Sequence, residues 1–167
     1  MPMRIRLKQS WKRNQPFSVQ LNDAEIVITR QPAQDFFQKH YELTWTWLNN
    51  TKTTLFFPKG VGKKRVWNIV VSDQLICQGM MVFPSLKESL LRVAYPRIEW
   101  KIADDVVIDR IWCCGGELRL SNGRRLATWR EGSYATIVCR KKVPQLILSA
   151  IVGMVVARIF DPDVSDG

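Results

Sequence analysis

Apolar and polar residues alternate along much of the chain, and this alternation predicts short β-strands. Between Met3 and Lys8, Ile5 and Leu7 alternate with basic residues, as expected of a strand with one buried face. The tripeptide at 121–123, Ser-Asn-Gly, predicts a hairpin turn because asparagine and glycine tolerate positive φ. Comparable patterns predict further strands over 17–21, 24–29, 41–47, 53–57, 66–71, 75–81, 98–102, 106–113, 117–120, 125–129 and 134–139.

The longest apolar segment, from Val143 to Phe160, predicts a C-terminal helix that is apolar on all sides. Such a helix belongs inside a protein core or inside a bilayer. Its apolar part, 146–157, which only Ser149 interrupts, is shorter than the ~20 residues of a typical membrane span, and this favours a helix buried in protein. Small residues spaced four apart share one face, and we expect this face against the nearest strand: Ser149, Gly153 and Ala157.

A second, short helix is predicted between residues 84 and 93. Ser85 and Glu88 have the spacing of a capping box, and Leu86, Leu90 and Leu91 form an apolar stripe.

Many short strands followed by one apolar helix predict a mainly β protein with a single domain over 1–160. A closed antiparallel β-barrel leaves no exposed strand edge, and an apolar helix requires an apolar enclosure. We therefore expect a closed barrel that encloses the helix at 144–160, with an acidic tail at 161–167. A smaller barrel capped by a helix is the alternative, but its helix would be amphipathic.

The charge of the chain favours anionic partners. Lysine and arginine total 25 against 15 acidic residues, a net charge of +10 that suits phospholipid headgroups or nucleic acid. The basic N-terminus lacks the apolar segment of a signal peptide. The four cysteines show no Cys-x-x-Cys spacing, so we expect reduced thiols in a cytoplasmic protein, peripheral at the membrane if it binds lipid.

Two basic clusters are candidate anion-binding sites. The sequence Gly60–Lys64 resembles a phosphate-binding loop, but Phe57 and Lys64 stand where that motif requires glycine and serine or threonine. A basic loop whose side chains contact phosphates directly remains a candidate. The second cluster is expected near the start of the terminal helix. The candidate lipid- or anion-binding residues of the two clusters are Lys59, Lys63, Lys64, Arg65, Arg124 and Arg125.

Aromatic residues are candidates either for the core or for stacking on nucleic-acid bases. Trp45, Trp47 and Trp100 follow the strand alternation, which favours core packing. Trp11 and Trp67 lie near basic residues, an arrangement that would suit a single-strand binder.

No combination of residues predicts catalysis. The single histidine, His40, has no patterned partner, and adjacent Cys113 and Cys114 point to opposite faces of a strand. A carboxylate cluster of Asp104, Asp105 and Asp109 is explained equally well by a turn and a strand edge. We therefore predict a protein that is not an enzyme and that needs no cofactor or metal.

The last third of the chain resembles the tubby-like superfamily, which includes tubby domains, phospholipid scramblases and LURP-one-related proteins. The resemblance lies in Glu117–Trp129, Tyr134–Arg140 and the helix Pro144–Phe160, in that order. It implies a barrel wrapped around its C-terminal helix, and lipid binding or lipid movement as in some relatives. No motif carries a relative's binding residues over to this chain.

These observations favour a non-enzymatic barrel that binds anionic phospholipid headgroups at a basic surface. Two alternatives remain. A tail-anchored membrane protein would use the terminal helix as a span behind the basic residues Arg140–Lys142. A basic nucleic-acid-binding domain would lose affinity steeply with added salt.

Overall fold

The computed structural model describes residues 3–8, 17–21, 24–31, 42–46, 51–56, 66–82, 85–90, 97–112, 115–130, 134–139 and 143–160. Within these ranges the chain is mainly β, with twelve strands and two helices. The strands are β1 (Met3–Lys8), β2 (Phe17–Leu21), β3 (Ala24–Gln31), β4 (Glu42–Thr46), β5 (Lys52–Phe56), β6 (Val66–Val71), β7 (Gln74–Val82), β8 (Arg97–Ile102), β9 (Asp105–Trp112), β10 (Gly115–Leu120), β11 (Arg125–Arg130) and β12 (Tyr134–Cys139). The helices are α1 (Leu86–Leu90) and α2 (Gln145–Phe160).

The hydrophobic pattern locates these elements closely. The bounds of β1, β2, β6 and β12 are those predicted from the alternation, and α2 begins one residue after the predicted Pro144. Ile5 is buried while Arg4 and Arg6 are exposed, so the predicted basic outer face of β1 is confirmed. The mainly β composition with one long C-terminal helix is therefore confirmed.

The strands pair antiparallel with their sequence neighbours from β1–β2 through to β11–β12. The first strand also pairs with the last, so β1 lies between β2 and β12, with Ile5 opposite both Leu21 and Ile137. Because successive strands alternate in direction, the connections alternate between the two ends of the sheet.

Tight turns with positive φ connect several of these strands. Ser72 and Asp73 have φ of 48° and 65° between β6 and β7, as in the two-residue turns that match the twist of a hairpin. Ala103 has a φ of 50° between β8 and β9. Gly123, at φ 85°, completes the predicted turn between β10 and β11. These three turns lie at one end of the sheet.

Helix α2 lies in the apolar interior. Every residue from Leu148 to Arg158 is buried, and the helix contacts β5, β6 and β7. At Gly153 a Cβ atom would lie 2.7 Å from Ile69 Cδ1 of β6, so a glycine permits this close approach of helix and strand. The predicted role of the small face is thus confirmed at Gly153.

Glycine and tryptophan also complement each other in the sheet. Gly79 of β7 is paired with Trp67 on one side and with Trp100 on the other. A Cβ atom at Gly79 would clash with the Trp100 ring, at 2.5 Å. The two indole rings, 6.3 Å apart between centroids, are fully buried. Full burial excludes Trp67 as a candidate for base stacking, whereas the core packing favoured for Trp45 and Trp100 is confirmed. Trp11 and Trp47 lie outside the described residues.

The short helix α1 is present, but its apolar stripe does not join the described core. Leu86 and Leu90 are 79% and 75% exposed. Leu91 lies outside the described residues. Neither of the two helices that the structure describes has the length and apolar composition needed to cross a bilayer.

Candidate functional site

A cavity of about 310 Å³ lies between the first half of α2 and strands β8 to β11. Its walls are apolar, whereas its polar groups come from turns and strand ends. The lining residues are Ile102, Asp105, Val107, Leu120, Arg124, Leu126, Val143, Pro144, Ile147, Ala150, Ile151 and Met154. The volume is at the lower end of the ~300–1,000 Å³ typical of ligand pockets.

The cavity is deep at one side and open at the other. Val107, Ala150, Ile151 and Met154 are buried and form its apolar floor. Asp105, Arg124 and Pro144 are exposed and form its mouth. We call the end of the sheet that carries the turns 72–73, 103–104 and 121–124, together with Pro144, the helix-start end.

The turn that carries Arg124 is held by several hydrogen bonds. Gly123 N donates to Leu120 O at 2.9 Å, and Arg124 N donates to Asn122 Oδ1 at the same distance. Ser121 N donates to Val106 O of β9 at 2.9 Å, which ties the turn to the neighbouring hairpin. The exposed Arg124 side chain is therefore attached to an ordered backbone.

The first turn of α2 adds a positive potential to the mouth. Leu148 N donates to Pro144 O at 2.9 Å, so the helical hydrogen bonds start at Pro144. The first turn of the helix contains no acidic side chain. The N-terminal end of a helix favours negative charge. Pro144 and Ile147 place this end beside the cavity.

Of the predicted anion-binding residues, the structure places Arg124 at the mouth of the cavity. Its neighbour Arg125 is half-buried at the start of β11 and does not line the cavity. The other four candidates, Lys59, Lys63, Lys64 and Arg65, lie outside the described residues. The flanking strand ends, Phe56 of β5 and Val66 of β6, lie at the end of the sheet opposite the helix-start end.

A buried ion pair lies deeper in the interior. Arg158 Nε of α2 is 3.2 Å from Asp109 Oδ2 of β9, and the two side chains are 5% and 1% exposed. Asp109 is paired with Ile98 and Leu118, which are fully buried, so the carboxylate sits among apolar neighbours. No described residue donates a hydrogen bond to either Asp109 carboxylate oxygen. The contact is thus one of charge rather than a well-aligned hydrogen bond.

Burial dominates the titration of Asp109. It raises the pKa of this carboxyl from 3.8 to about 6, while the nearby positive charge of Arg158 acts to lower it. The pattern of β9 conceals this pair, because Val106, Val107 and Ile108 make both faces of the strand apolar. The sequence contains one indication of the buried charge. Asp109 and Arg110 are adjacent in a strand, so their side chains point to opposite faces and one of the two charges must face the core.

The predicted carboxylate cluster does not form. Asp104 and Asp105 are exposed at the β8–β9 turn, whereas Asp109 is buried farther along β9. The described residues contain no group of three or more histidine, cysteine, aspartate or glutamate side chains arranged to hold a metal. His40, Cys113 and Cys114 lie outside these residues.

Two of the four cysteines lie within the described residues, and both are buried. Cys77 and Cys139 are free, and burial raises their pKa values to about 12 and about 11. A thiol with so high a pKa is a poor nucleophile, since the thiolate is the reactive form. Neither residue therefore adds chemistry to the cavity.

Known proteins supply no further guide to this site. No family model, no curated protein and no solved structure matches the chain.

Proposed function

We propose that the protein is a non-enzymatic β-barrel that binds anionic phospholipid headgroups at its helix-start end. The observation that carries the proposal is the position of Arg124, an exposed cation at the mouth of an apolar cavity. A phospholipid presents the complementary combination, an anionic phosphate next to hydrocarbon.

We further propose that the twelve described strands form a closed barrel. Pairing of β1 with both β2 and β12 supports it, because each of the twelve strands then has a partner on both sides. Burial of α2 from Leu148 to Arg158 supports a position inside this barrel. The resemblance to the tubby-like superfamily implies the same arrangement, and lipid binding in some of its members.

Several features support phosphate as the group that is recognised. The guanidinium of Arg124 offers planar N–H donors that match phosphate oxygens. The N-terminal end of α2 contributes a favourable potential at the same mouth. The net charge of +10 favours approach to an anionic surface.

Vesicle sedimentation tests this proposal. The wild-type protein should sediment with vesicles that contain phosphatidylserine and should remain in the supernatant with vesicles of phosphatidylcholine alone. Added salt should weaken the binding, because it screens contacts between exposed charges. Equal binding to the two vesicle types at low salt would contradict the proposal.

A matched pair of variants locates the surface. Arg124→Gln should weaken binding by about tenfold or more, because a charged hydrogen bond to phosphate contributes ~1.5–3 kcal/mol. Arg130→Gln removes the same charge from an exposed residue at the opposite end of β11. It should bind almost as well as the wild type. An equal loss in both variants would show that net charge, and not the helix-start end, controls binding.

A further inference from the structure

The apolar part of the cavity exceeds what headgroup recognition requires. Val107, Ala150, Ile151 and Met154 lie at its base, and none of these side chains offers a hydrogen bond to a polar ligand beyond the weak sulfur acceptor of methionine. Polar lining is confined to the mouth, at Asp105 and Arg124. A ligand that fits this arrangement has one polar end and an apolar body.

The volume of the cavity suits a single hydrocarbon chain as the apolar part of this ligand. A water molecule occupies ~30 Å³ in the liquid, and a methylene group is of similar size. A cavity of about 310 Å³ therefore has room for roughly ten heavy atoms of a hydrocarbon. This space accommodates the first part of a single acyl chain.

The charges at the mouth select the headgroup. Arg124 is suited to a phosphate, as argued above. Asp105, also exposed at the mouth, accepts hydrogen bonds and repels anions. A glycerol hydroxyl next to the phosphate would donate to this carboxylate. A monoacyl glycerophospholipid carries such a free hydroxyl, because one of its acyl chains is missing.

We infer that the cavity binds the acyl chain of a monoacyl glycerophospholipid, with the phosphate at Arg124 and the free glycerol hydroxyl at Asp105. The inference rests on the proposed function, since it assigns the same helix-start end to phospholipid. It goes further by identifying a site within the protein for a single dispersed lipid molecule. Binding at a membrane surface alone needs no such site.

The dependence of affinity on chain length tests the inference. Monoacyl glycerophosphates of increasing chain length are titrated into the full-length protein below their critical micelle concentrations. Affinity should rise about fourfold per methylene, which corresponds to ~0.8 kcal/mol. The rise should stop near roughly ten carbons, when the cavity is filled. Affinity that does not depend on chain length would overturn the inference.

Neighbouring helix residues supply a variant and its control. Ile147 lines the cavity and Leu146 does not, although both lie in the first turn of α2. Ile147→Trp should fill part of the cavity and weaken binding by about fifteenfold, the loss of roughly two buried methylenes. Leu146→Trp should bind as the wild type does. If Ile147→Trp does not fold, Leu126→Phe fills the same cavity from β11. Wild-type affinity in a folded cavity variant would overturn the inference.

The headgroup is tested with a monoacylglycerol of the same chain length, which lacks the phosphate. The wild type should bind the phosphate form at least about tenfold more tightly, as expected for a charged hydrogen bond. Arg124→Gln should remove most of this difference and leave the affinity for the monoacylglycerol unchanged. Equal affinity of the wild type for both lipids would overturn the assignment of Arg124.

Vesicle sedimentation of the same samples separates this inference from the proposed function. Binding to anionic vesicles without binding of dispersed monoacyl lipid overturns the inference and leaves the proposed function supported. Chain-length-dependent binding of dispersed lipid without vesicle binding supports the cavity site and overturns the membrane-surface function. Failure of both measurements overturns both.

Discussion

The ion pair between Asp109 and Arg158 is buried among apolar residues. Moving two charges from water into such an interior costs several kcal/mol per ion, and their attraction offsets this only with good geometry. Arg158 also lies in the last turn of α2, where a positive charge interacts favourably with the helix dipole. We therefore expect the pair to set the position of α2 along the sheet more than to add stability.

Replacing one partner should cost more than replacing both. Arg158→Met leaves the Asp109 carboxylate buried without its counter-charge and should lower the free energy of unfolding by about 3–5 kcal/mol. Asp109→Leu combined with Arg158→Met removes both charges and should restore most of that loss. Urea denaturation measures each value. A double variant less stable than Arg158→Met alone would contradict this view of the pair.

The raised pKa of Asp109 predicts a specific pH dependence. Between pH 3.8 and about 6 the folded protein retains a proton that the unfolded chain has released. Stability from this group therefore falls as pH rises through that window, by up to about 1.4 kcal/mol per pH unit. Unfolding free energies of the wild type and Asp109→Asn, measured across this range, should diverge with this sign. Parallel profiles would contradict the assignment.

At the scale of residues, the sequence predicts roles best where alternation is clear. Ile5, Trp45 and Trp100 are buried as expected, because polar residues flank them in their strands. Asp109 was not predicted as buried, since both faces of β9 are apolar and the pattern does not orient the strand. Its partner Arg158 follows an apolar segment. The sequence pattern is the same for an arginine at the end of a core helix and for an arginine at the boundary of a membrane span.

At the scale of elements, close packing of α2 on β6 depends on Gly153. A Cβ at this position would lie 2.7 Å from Ile69 Cδ1, so a larger side chain requires Ile69 to shift. The same principle operates in the sheet, where Gly79 makes space for the ring of Trp100. Small residues thus determine where the large ones can lie.

Enlarging Gly153 should destabilise the protein through overpacking. We expect Gly153→Leu to lower the free energy of unfolding by about 1–3 kcal/mol, measured by urea denaturation. Ile69→Ala in the same chain should recover part of the loss, because it removes the side chain that the new leucine meets. Additive losses in the double variant would indicate that the two residues do not share this contact.

The elements themselves could largely be predicted from the sequence. Period-2 alternation and turn residues located β1, β6 and β12 to the residue, and the apolar segment located α2. The pairing of Gly79 with Trp67 and Trp100 could not be predicted, since it depends on register between strands. For α1, the capping pattern predicted a helix but not the exposure of its leucines.

At the scale of the whole molecule, the fold brings together residues that are distant in sequence. β1 joins β12 across nearly the full length of the chain, with Met3 opposite Cys139. The cavity likewise combines Ile102, Leu126 and Ile147 from three separate elements. For this reason the sequence pointed to Arg124 as a basic residue near the helix but could not predict the cavity beside it.

Deleting α2 should prevent folding. A chain that ends at Lys142 loses the helix that the buried core residues of β5, β6 and β7 contact, and we expect it to aggregate. A chain that ends at Phe160 retains the helix and should keep the near-ultraviolet circular dichroism of its buried tryptophans. A native spectrum from the shorter chain would contradict the role of α2 as part of the core.

The most direct test of the account is an NMR titration of the ¹⁵N-labelled protein with a dispersed monoacyl glycerophosphate. The central claim is that phospholipid binds at the helix-start end, beside Arg124. We expect the largest amide shifts at 103–107, 120–126 and 143–151, which surround the cavity, and small shifts at Phe56 and Val66. Shifts concentrated at the opposite end of the sheet, or no shifts at saturating lipid, would contradict the account.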